Sequence, residues 1–245
     1  MKHKKLKITA ISLAIILLVC CGAVGIYAAD YYRMDLPAVQ AMLNDDAVDV
    51  SQYTGSSNYA EFVPRQAEIG FIFYPGGKVE YTSYAPLMRA LAEQGILCVI
   101  PKMPLNLAVL DMDAAEDILE LYPEIDTWYI GGHSLGGSMA ASYAAQSDAF
   151  AGLILLASYS TADLTETDLQ VISIYGTEDG VLNMEKYEEY RSNLPADTTE
   201  WEIIGGNHAQ FGSYGAQEGD GTAAITPEKQ VELSVTSITE WMLAS

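Results

Sequence analysis

The segment WYIGGHSLG, at residues 128–136, gives the clearest indication of the fold of this chain. Its first four residues form a short apolar run typical of a buried strand, and an alanine-rich helical segment continues to about Gln146. Between them lies the pattern G-x-S-x-G. The glycines leave room for a sharp turn, which would raise the Ser134 hydroxyl above the sheet and point the amino end of the helix at a developing negative charge. Ser134 is therefore the candidate nucleophile.

Apolar runs alternate with helical segments from about residue 68 to the end of the chain. Further strands are predicted at residues 69–74, 96–100, 152–157, 171–175 and 200–204, and further helices at residues 83–94, 113–121, 184–193 and 227–243. This alternation predicts an α/β fold, with a mostly parallel sheet and helices on both faces. Residues 48–66 are expected to add one or two antiparallel edge strands. The short connection at residues 158–170 leaves room for only a minimal cap.

Counting the histidines identifies a candidate general base. The chain contains three: His3 lies in a basic leader, and His133 adjoins the serine, where its side chain should point away from the hydroxyl. The remaining one, His208, follows the last predicted strand in a glycine-rich loop. Since a serine hydroxyl needs an adjacent base to become a nucleophile, His208 is predicted to accept its proton.

A general base of this kind is oriented by a carboxylate. The sequence contains 33 acidic residues, so position has to select among them. The segment Tyr-Gly-Thr-Glu-Asp-Gly, residues 175–180, follows a predicted strand and ends in a turn, which would place a carboxylate at the carboxyl edge of the sheet. Asp179 is the preferred candidate, and Glu178 is the alternative.

The order Ser134, Asp179, His208 resembles that of the α/β-hydrolases, over residues of about 68 to 243. More narrowly, GGNHAQFGSYG at residues 205–215, followed by Gln217, Gly219 and Asp220, is similar to the alpha/beta hydrolase fold-5 family, which is related to dienelactone hydrolases. Dienelactone hydrolases use a cysteine nucleophile, so Ser134 departs from them and their lactone substrate is not carried over. The resemblance implies a serine hydrolase that acts on an ester or a similar acyl bond.

The resemblance also implies an oxyanion hole built from backbone N–H groups. One donor would be Leu135, directly after the serine, and the other would be Gly77 or Lys78 in the loop after an early strand. Four side chains of the histidine loop have a role that the sequence leaves open, because they either shape the substrate site or order the loop: Gln210, Tyr214, Gln217 and Asp220.

The amino-terminal segment indicates a membrane anchor. Residues 1–7 contain four lysines, and residues 8–29 contain no charge. As a helix, those 22 residues would extend about 33 Å, against a hydrocarbon core of about 30 Å. The predicted layout is a cytoplasmic leader (1–7), a transmembrane anchor or signal (8–29), a juxtamembrane segment with edge strands (30–67) and an extracytoplasmic catalytic domain (68–245). The alternatives are secretion after signal cleavage and lipidation at Cys20 or Cys21.

Charge and composition exclude several classes of function. Four of the twelve basic residues precede residue 8, which leaves eight basic and 33 acidic residues after the apolar run, a net charge of −25. Such a surface repels phosphate, so nucleic acid is not expected as a partner, and a small neutral or cationic acyl substrate is favoured. Too few histidines and cysteines are present for a zinc site, and Cys98 lies in an apolar run typical of a core. No cofactor or metal is predicted.

Two other functions fit the same residues. An acyltransferase would use the same three side chains, with an alcohol in place of water as the acceptor. A protein with this fold could also bind a partner without catalysis, because fold alone does not imply activity. The sequence predicts a membrane-anchored serine hydrolase before either of these.

Overall fold

The structure is a computed structural model that describes residues 17–19, 22, 25–55 and 58–244. The described residues up to Tyr31 and those from Tyr32 onward form two compact units. In the first unit, residues 17–19, 22 and 25–29 are helical. Within the described ranges, no helix has the length and apolar character that spanning a bilayer requires. The transmembrane prediction covers residues 8–29, and much of that segment (8–16, 20, 21, 23 and 24) lies outside the described residues.

The second unit is built on an eight-stranded sheet with the order β1-β2-β4-β3-β5-β6-β7-β8. The strands are β1 (Val48–Tyr53), β2 (Tyr59–Pro64), β3 (Ile69–Tyr74), β4 (Ile96–Pro101), β5 (Thr127–His133), β6 (Gly152–Leu156), β7 (Gln170–Gly176) and β8 (Thr199–Ile203). The pairs β1–β2 and β2–β4 are antiparallel, and the five pairs from β4 through β3 to β8 are parallel. The predicted parallel sheet and the antiparallel strands within residues 48–66 are confirmed.

Six α-helices of the second unit have these bounds: α1 (Leu36–Ala41), α2 (Ala85–Ala92), α3 (Ala114–Leu121), α4 (Leu135–Ala144), α5 (Met184–Tyr190) and α6 (Pro227–Ala244). The helix predicted at residues 83–94 begins later than expected, because residues 81–84 form a 3-10 turn and Pro86 lies in the first turn of α2. The sequence analysis did not predict α1. It is only six residues long, and Asp35 caps it by accepting the N–H of Ala38 at 3.3 Å.

Helices cover both faces of the sheet, as predicted. Alternate residues of a strand point to opposite faces, so Phe71 and Phe73 of β3 enter one apolar cluster and Ile72 and Tyr74 the other. The first cluster includes residues of α2 and α6, and the second includes residues of α3 and α4. Cys98 is fully buried in the first cluster, as expected for a small core residue.

The topology brings the three candidate catalytic residues to one edge of the sheet. Ser134, Asp179 and His208 follow β5, β7 and β8 at their carboxyl ends, and these strands are parallel. Ligands of open α/β sheets bind at this edge. Residues 157–169, between β6 and β7, contain neither a helix nor a strand, in agreement with the predicted minimal cap.

Candidate active site

Ser134 occupies a strained turn between β5 and α4. Its φ of 52° and ψ of −124° lie outside the conformations that side-chain-bearing residues prefer. The turn fits because its neighbours are glycines: a Cβ on Gly132 would lie 2.5 Å from the Tyr74 carbonyl oxygen, and one on Gly136 would lie 2.2 Å from it. The Ser134 N–H donates to the Leu156 carbonyl at 2.9 Å, and the Ser158 hydroxyl donates to the Ser134 carbonyl at 2.7 Å. The turn is therefore fixed from two sides.

Asp179 and His208 form a buried pair. Asp179 Oδ2 lies 2.8 Å from His208 Nδ1, and each side chain is 1% exposed. The other carboxylate oxygen of Asp179 accepts the N–H groups of Val181 (2.8 Å) and Leu182 (2.7 Å), so the carboxylate is held before a substrate arrives. Glu178, the alternative candidate, is exposed to solvent. The structure therefore places Asp179, and not Glu178, against the histidine.

The other ring nitrogen of His208 is available for chemistry. Because Nδ1 is hydrogen-bonded to a carboxylate, Nδ1 carries the ring proton. The other nitrogen, Nε2, then has a lone pair. Nε2 is buried and has no hydrogen-bond partner among the described residues. His208 and Ser134 border the same cavity of about 240 Å³. Its other lining residues are Leu135, Ser138, Ala157, Ser158, Tyr159, Val181, Leu182 and Asn183.

Leu135 and Gly77, two of the residues predicted to form an oxyanion hole, are neighbours in the structure. Leu135 is the first residue of α4, so its N–H has no partner within the helix. Gly77 is its neighbour, since a Cβ on Gly77 would lie 3.1 Å from Leu135 Cδ2. Of the two alternatives for the second donor, Lys78 is disfavoured, because its N–H already donates to the Asn106 carbonyl at 2.8 Å. The Gly76 N–H donates to Tyr84 Oη at 3.0 Å, which leaves Gly77 as the candidate from this loop.

Asp220 fastens the histidine loop to the turn that carries Asp179. Its Oδ1 accepts the N–H of His208 at 3.2 Å and that of Gly180 at 3.1 Å, and its Oδ2 accepts the N–H of Ala209 at 2.8 Å. One carboxylate thus binds the main chain next to both members of the Asp179–His208 pair. Of the two roles that the sequence left open for Asp220, the structure favours ordering of the loop.

The other three side chains whose role the sequence left open, Gln210, Tyr214 and Gln217, do not line the cavity of the serine. Gln210 and Gln217 border a different cavity of about 630 Å³, whose lining does not include Ser134. Tyr214 is buried and donates its hydroxyl to Gln217 Oε1 at 3.0 Å. The Gln210 N–H donates to Asn207 Oδ1 at 3.1 Å. These contacts favour ordering of the loop over shaping of the serine site.

His133 has a place in the site that the sequence analysis did not predict. It is 1% exposed, its Nδ1 lies 2.8 Å from Tyr84 Oη, and its ring centroid lies 4.4 Å from that of His208. Burial, and then the neighbouring His208, lower the pKa of His133 well below its usual value, so the ring is neutral. Because Tyr84 lies 49 residues earlier, no local sequence signal could have shown this contact.

The sequence of the chain supplies the identification. A family model described as "Alpha/beta hydrolase family" matches residues 70–232. The chain belongs to the α/β-hydrolase family. The matched segment begins in β3 and ends within α6, and it contains Ser134 and the Asp179–His208 pair. A search of curated protein sequences gives no significant match.

Solved structures confirm the α/β-hydrolase fold. A CIB-like hydrolase from Thermoplasma acidophilum is 15% identical, with a TM-score of 0.59 over 78% of this chain and 98% of its own. The α/β-hydrolase enzyme MGS-MChE2, from a metagenome of lagoon sediments of Mar Chica in Morocco, is 17% identical over the same shares, with the same TM-score. A protein named as a dienelactone hydrolase, from Klebsiella pneumoniae, is 14% identical over the same shares, also with a TM-score of 0.59. At these identities the likeness concerns the fold.

The described part of this α/β-hydrolase also contains one cysteine, Cys98, besides its histidines and acidic residues. Within the described part of the chain, no three His, Cys, Asp or Glu side chains are grouped so that they could hold a metal ion. Burial raises the pKa of the Cys98 thiol well above its usual value, so it stays protonated in the core. Ser134 and the Asp179–His208 pair are the candidate reactive groups at the sheet edge.

Proposed function

We propose that this α/β-hydrolase is a serine hydrolase that cleaves an ester or a related acyl bond. The observation that carries the proposal is the buried Asp179–His208 pair: His208 borders the same cavity as Ser134, and its Nε2 has no hydrogen-bond partner among the described residues. A pair of this kind converts a weakly nucleophilic hydroxyl into an effective one. A serine in ordinary turn surroundings would need neither a strained backbone nor a buried base.

The reaction follows from this arrangement in two halves. Ser134 Oγ attacks the acyl carbon while its proton passes to His208 Nε2, and Asp179 stabilises the imidazolium that forms. The negative charge on the carbonyl oxygen would be received by the N–H groups of Leu135 and Gly77. His208 then returns the proton to the leaving group, the bond to that group breaks, and an acyl-enzyme remains. Water then attacks the acyl carbon while His208 Nε2 takes up its proton. The bond between the acyl carbon and Ser134 Oγ breaks, His208 returns the proton to Oγ, and the acid is released.

The size and polarity of the cavity support a small acyl group or the end of a chain as the bound part of the substrate. About 240 Å³ is below the roughly 300–1,000 Å³ of common ligand pockets. Polar side chains on its wall, Ser138, Ser158 and Asn183, suit a polar or short group better than a long aliphatic one. The net charge of −25 after residue 29 favours a neutral or cationic substrate over a polyanion.

We also propose that the chain is held in the cell membrane by residues 8–29, with the catalytic unit on the extracytoplasmic side. The support is the uncharged run preceded by four lysines, together with the high exposure of Leu17, Leu18, Val19 and Ile26, between 65% and 75%. Residence in the membrane pellet after an alkaline carbonate wash tests the anchor. Mass spectrometry of the mature amino terminus separates a retained anchor from a cleaved signal.

Turnover of p-nitrophenyl acetate by the full chain tests the catalytic proposal. Ser134→Ala should reduce turnover by at least about 10³-fold. Ser142→Ala is the matched control, because Ser142 lies two turns further along α4 and outside the cavity. Equal activity of the two variants would refute the proposal. Adding a competing alcohol and identifying the products separates hydrolysis from acyl transfer, and absence of turnover over a broad ester panel would favour a binding protein.

A further inference from the structure

Residues 32–35, here called the strap, form a short β-bridge with the oxyanion turn, residues 76–80. Tyr32 pairs with Val79 in parallel orientation. The Tyr32 N–H donates to the Lys78 carbonyl at 2.8 Å, and the Glu80 N–H donates to the Tyr32 carbonyl at 2.8 Å. The Met34 N–H adds a bond to Glu80 Oε2 at 3.0 Å. Three bonds therefore join the strap to the turn that contains Gly77.

The strap also contacts the loop that follows His208. The Asp35 N–H donates to the Ser213 carbonyl at 2.9 Å, and the Glu218 N–H donates to Tyr32 Oη at 3.2 Å. The rings of Tyr32 and Tyr214 have centroids 5.5 Å apart. The same four residues are thus bonded to both loops that enter the proposed site, one with the oxyanion donor and one with the base.

The oxyanion turn needs external support. Lys78 has a φ of 58°, in the left-handed region that residues with a side chain adopt at a cost. Its N–H is held by the Asn106 carbonyl and its carbonyl by Tyr32, so the residue is fixed on both sides. Without the bond from Tyr32, the Lys78 peptide could relax toward an ordinary conformation. That rotation would move the preceding residue, Gly77.

We propose that the strap is a positioning segment of the active site, which holds the oxyanion turn so that the Gly77 N–H faces the acyl oxygen. This inference rests on the proposed function, because it assigns the strap to the oxyanion hole of that site. It also has a consequence for the mature protein. Since the strap begins at Tyr32, signal cleavage after Ala29 would leave it intact, and the anchored and secreted forms would have the same active site.

The test compares Tyr32→Pro with Tyr32→Ala in the full chain. Both lose the aromatic ring, but only proline removes the N–H that binds the Lys78 carbonyl. Tyr32→Pro should lower kcat for p-nitrophenyl acetate by about ten- to a hundredfold relative to Tyr32→Ala, approaching the loss of about 10²-fold or more seen for one oxyanion donor, with a smaller change in KM. Hydrogen–deuterium exchange of residues 75–82 should rise in the proline variant alone.

Equal kcat values for the two folded variants would overturn the inference. If Tyr32→Pro does not fold, Glu80→Ala gives the second comparison, because it removes only the carboxylate that accepts the Met34 N–H. In Glu80→Ala, faster exchange at residues 75–82 and a lower kcat, at an unchanged melting temperature, would support the positioning role of the strap. An unchanged kcat would refute that role. Ser134→Ala is measured in parallel. Full activity in that variant would refute the proposed function itself, and the strap's role with it.

Discussion

Asp179 Oδ2 lies 2.8 Å from His208 Nδ1, and both side chains are almost completely shielded from solvent. Shielding matters because a hydrogen bond to a charged group is stronger where water does not compete for it. The other oxygen of Asp179 is bound by two main-chain N–H groups, so the carboxylate cannot turn away. The pair is therefore preorganised, with one orientation of the imidazole fixed before substrate binds.

Replacement of Asp179 by Asn should remove most of the activity without unfolding the chain. An amide at this position would favour the wrong tautomer of His208, an effect worth about 10⁴-fold in kcat for serine hydrolysis of this type. Glu178→Gln is the control, because that neighbouring side chain is exposed. The measurement is kcat for p-nitrophenyl acetate beside thermal unfolding. A loss of kcat in Glu178→Gln with no loss in Asp179→Asn would show that Glu178, and not Asp179, is the acid that orients His208.

Asp220→Ala should lower both stability and kcat. The substitution leaves the N–H groups of Gly180, His208 and Ala209 without their acceptor, and one unsatisfied buried donor costs about 1–3 kcal/mol. Since His208 is anchored through its main chain, kcat should fall more than KM rises. Asp220→Asn keeps an acceptor oxygen and should recover part of kcat. Glu218→Ala, which removes an exposed carboxylate nearby, should behave as wild type in the same assays.

Gly136→Ala should strongly destabilise the chain. The added methyl would lie 2.2 Å from the Tyr74 carbonyl oxygen and 2.4 Å from that of Pro75. Because both obstacles are backbone atoms, we expect the free energy of unfolding to fall by at least the amount typical of overpacking, about 1–3 kcal/mol. Urea unfolding measures it. Gly55→Ala is the control, since its added methyl has no contact within 4 Å among the described residues beyond its chain neighbours. Equal stability of the two variants would contradict the close packing of Gly136 against the Tyr74 and Pro75 carbonyls.

The neutral, buried His133 should make stability depend on pH. Its pKa is lower in the folded chain than in the unfolded chain, so below a pH of about 6.5 the unfolded chain takes up the additional proton. The stabilisation is complete above that pH and is lost as the pH falls toward the folded pKa. We expect the melting temperature to fall between pH 7 and pH 5, and His133→Gln to reduce this slope. An unchanged slope would mean that the carboxylates alone account for it.

The sequence predicted the part of the molecule that local patterns determine. Continuous apolar runs such as residues 69–74 match the observed strands, because a strand buried on both faces needs apolar residues at every position. The position of Ser134 followed from its glycines, and that of His208 followed from the scarcity of histidines. The sequence favoured Asp179 as the acid but left Glu178 as an alternative, since only the folded turn decides which of the two carboxylates is buried.

Contacts between distant residues could not be predicted in this way. The bond from Tyr32 to Lys78 spans 46 residues, and neither residue type indicates a β-bridge. The same holds for the Lys78 N–H, whose acceptor Asn106 lies 28 residues later. The sequence therefore could not decide between Gly77 and Lys78 as the second oxyanion donor. The start of helix α1 does carry a local sequence signal, because Asp35 followed by Pro37 is typical of a capped helix start.

If Ser134 is the nucleophile, a reagent that traps activated serines should modify it, and mass spectrometry of the covalent adduct identifies the modified residue. The full chain is treated with a fluorophosphonate and digested, and the modified residue is identified by fragmentation. We predict one adduct, on Ser134, that forms much more slowly in His208→Ala and is absent in Ser134→Ala. An adduct on another serine, or undiminished labelling of Ser134→Ala, would contradict the account.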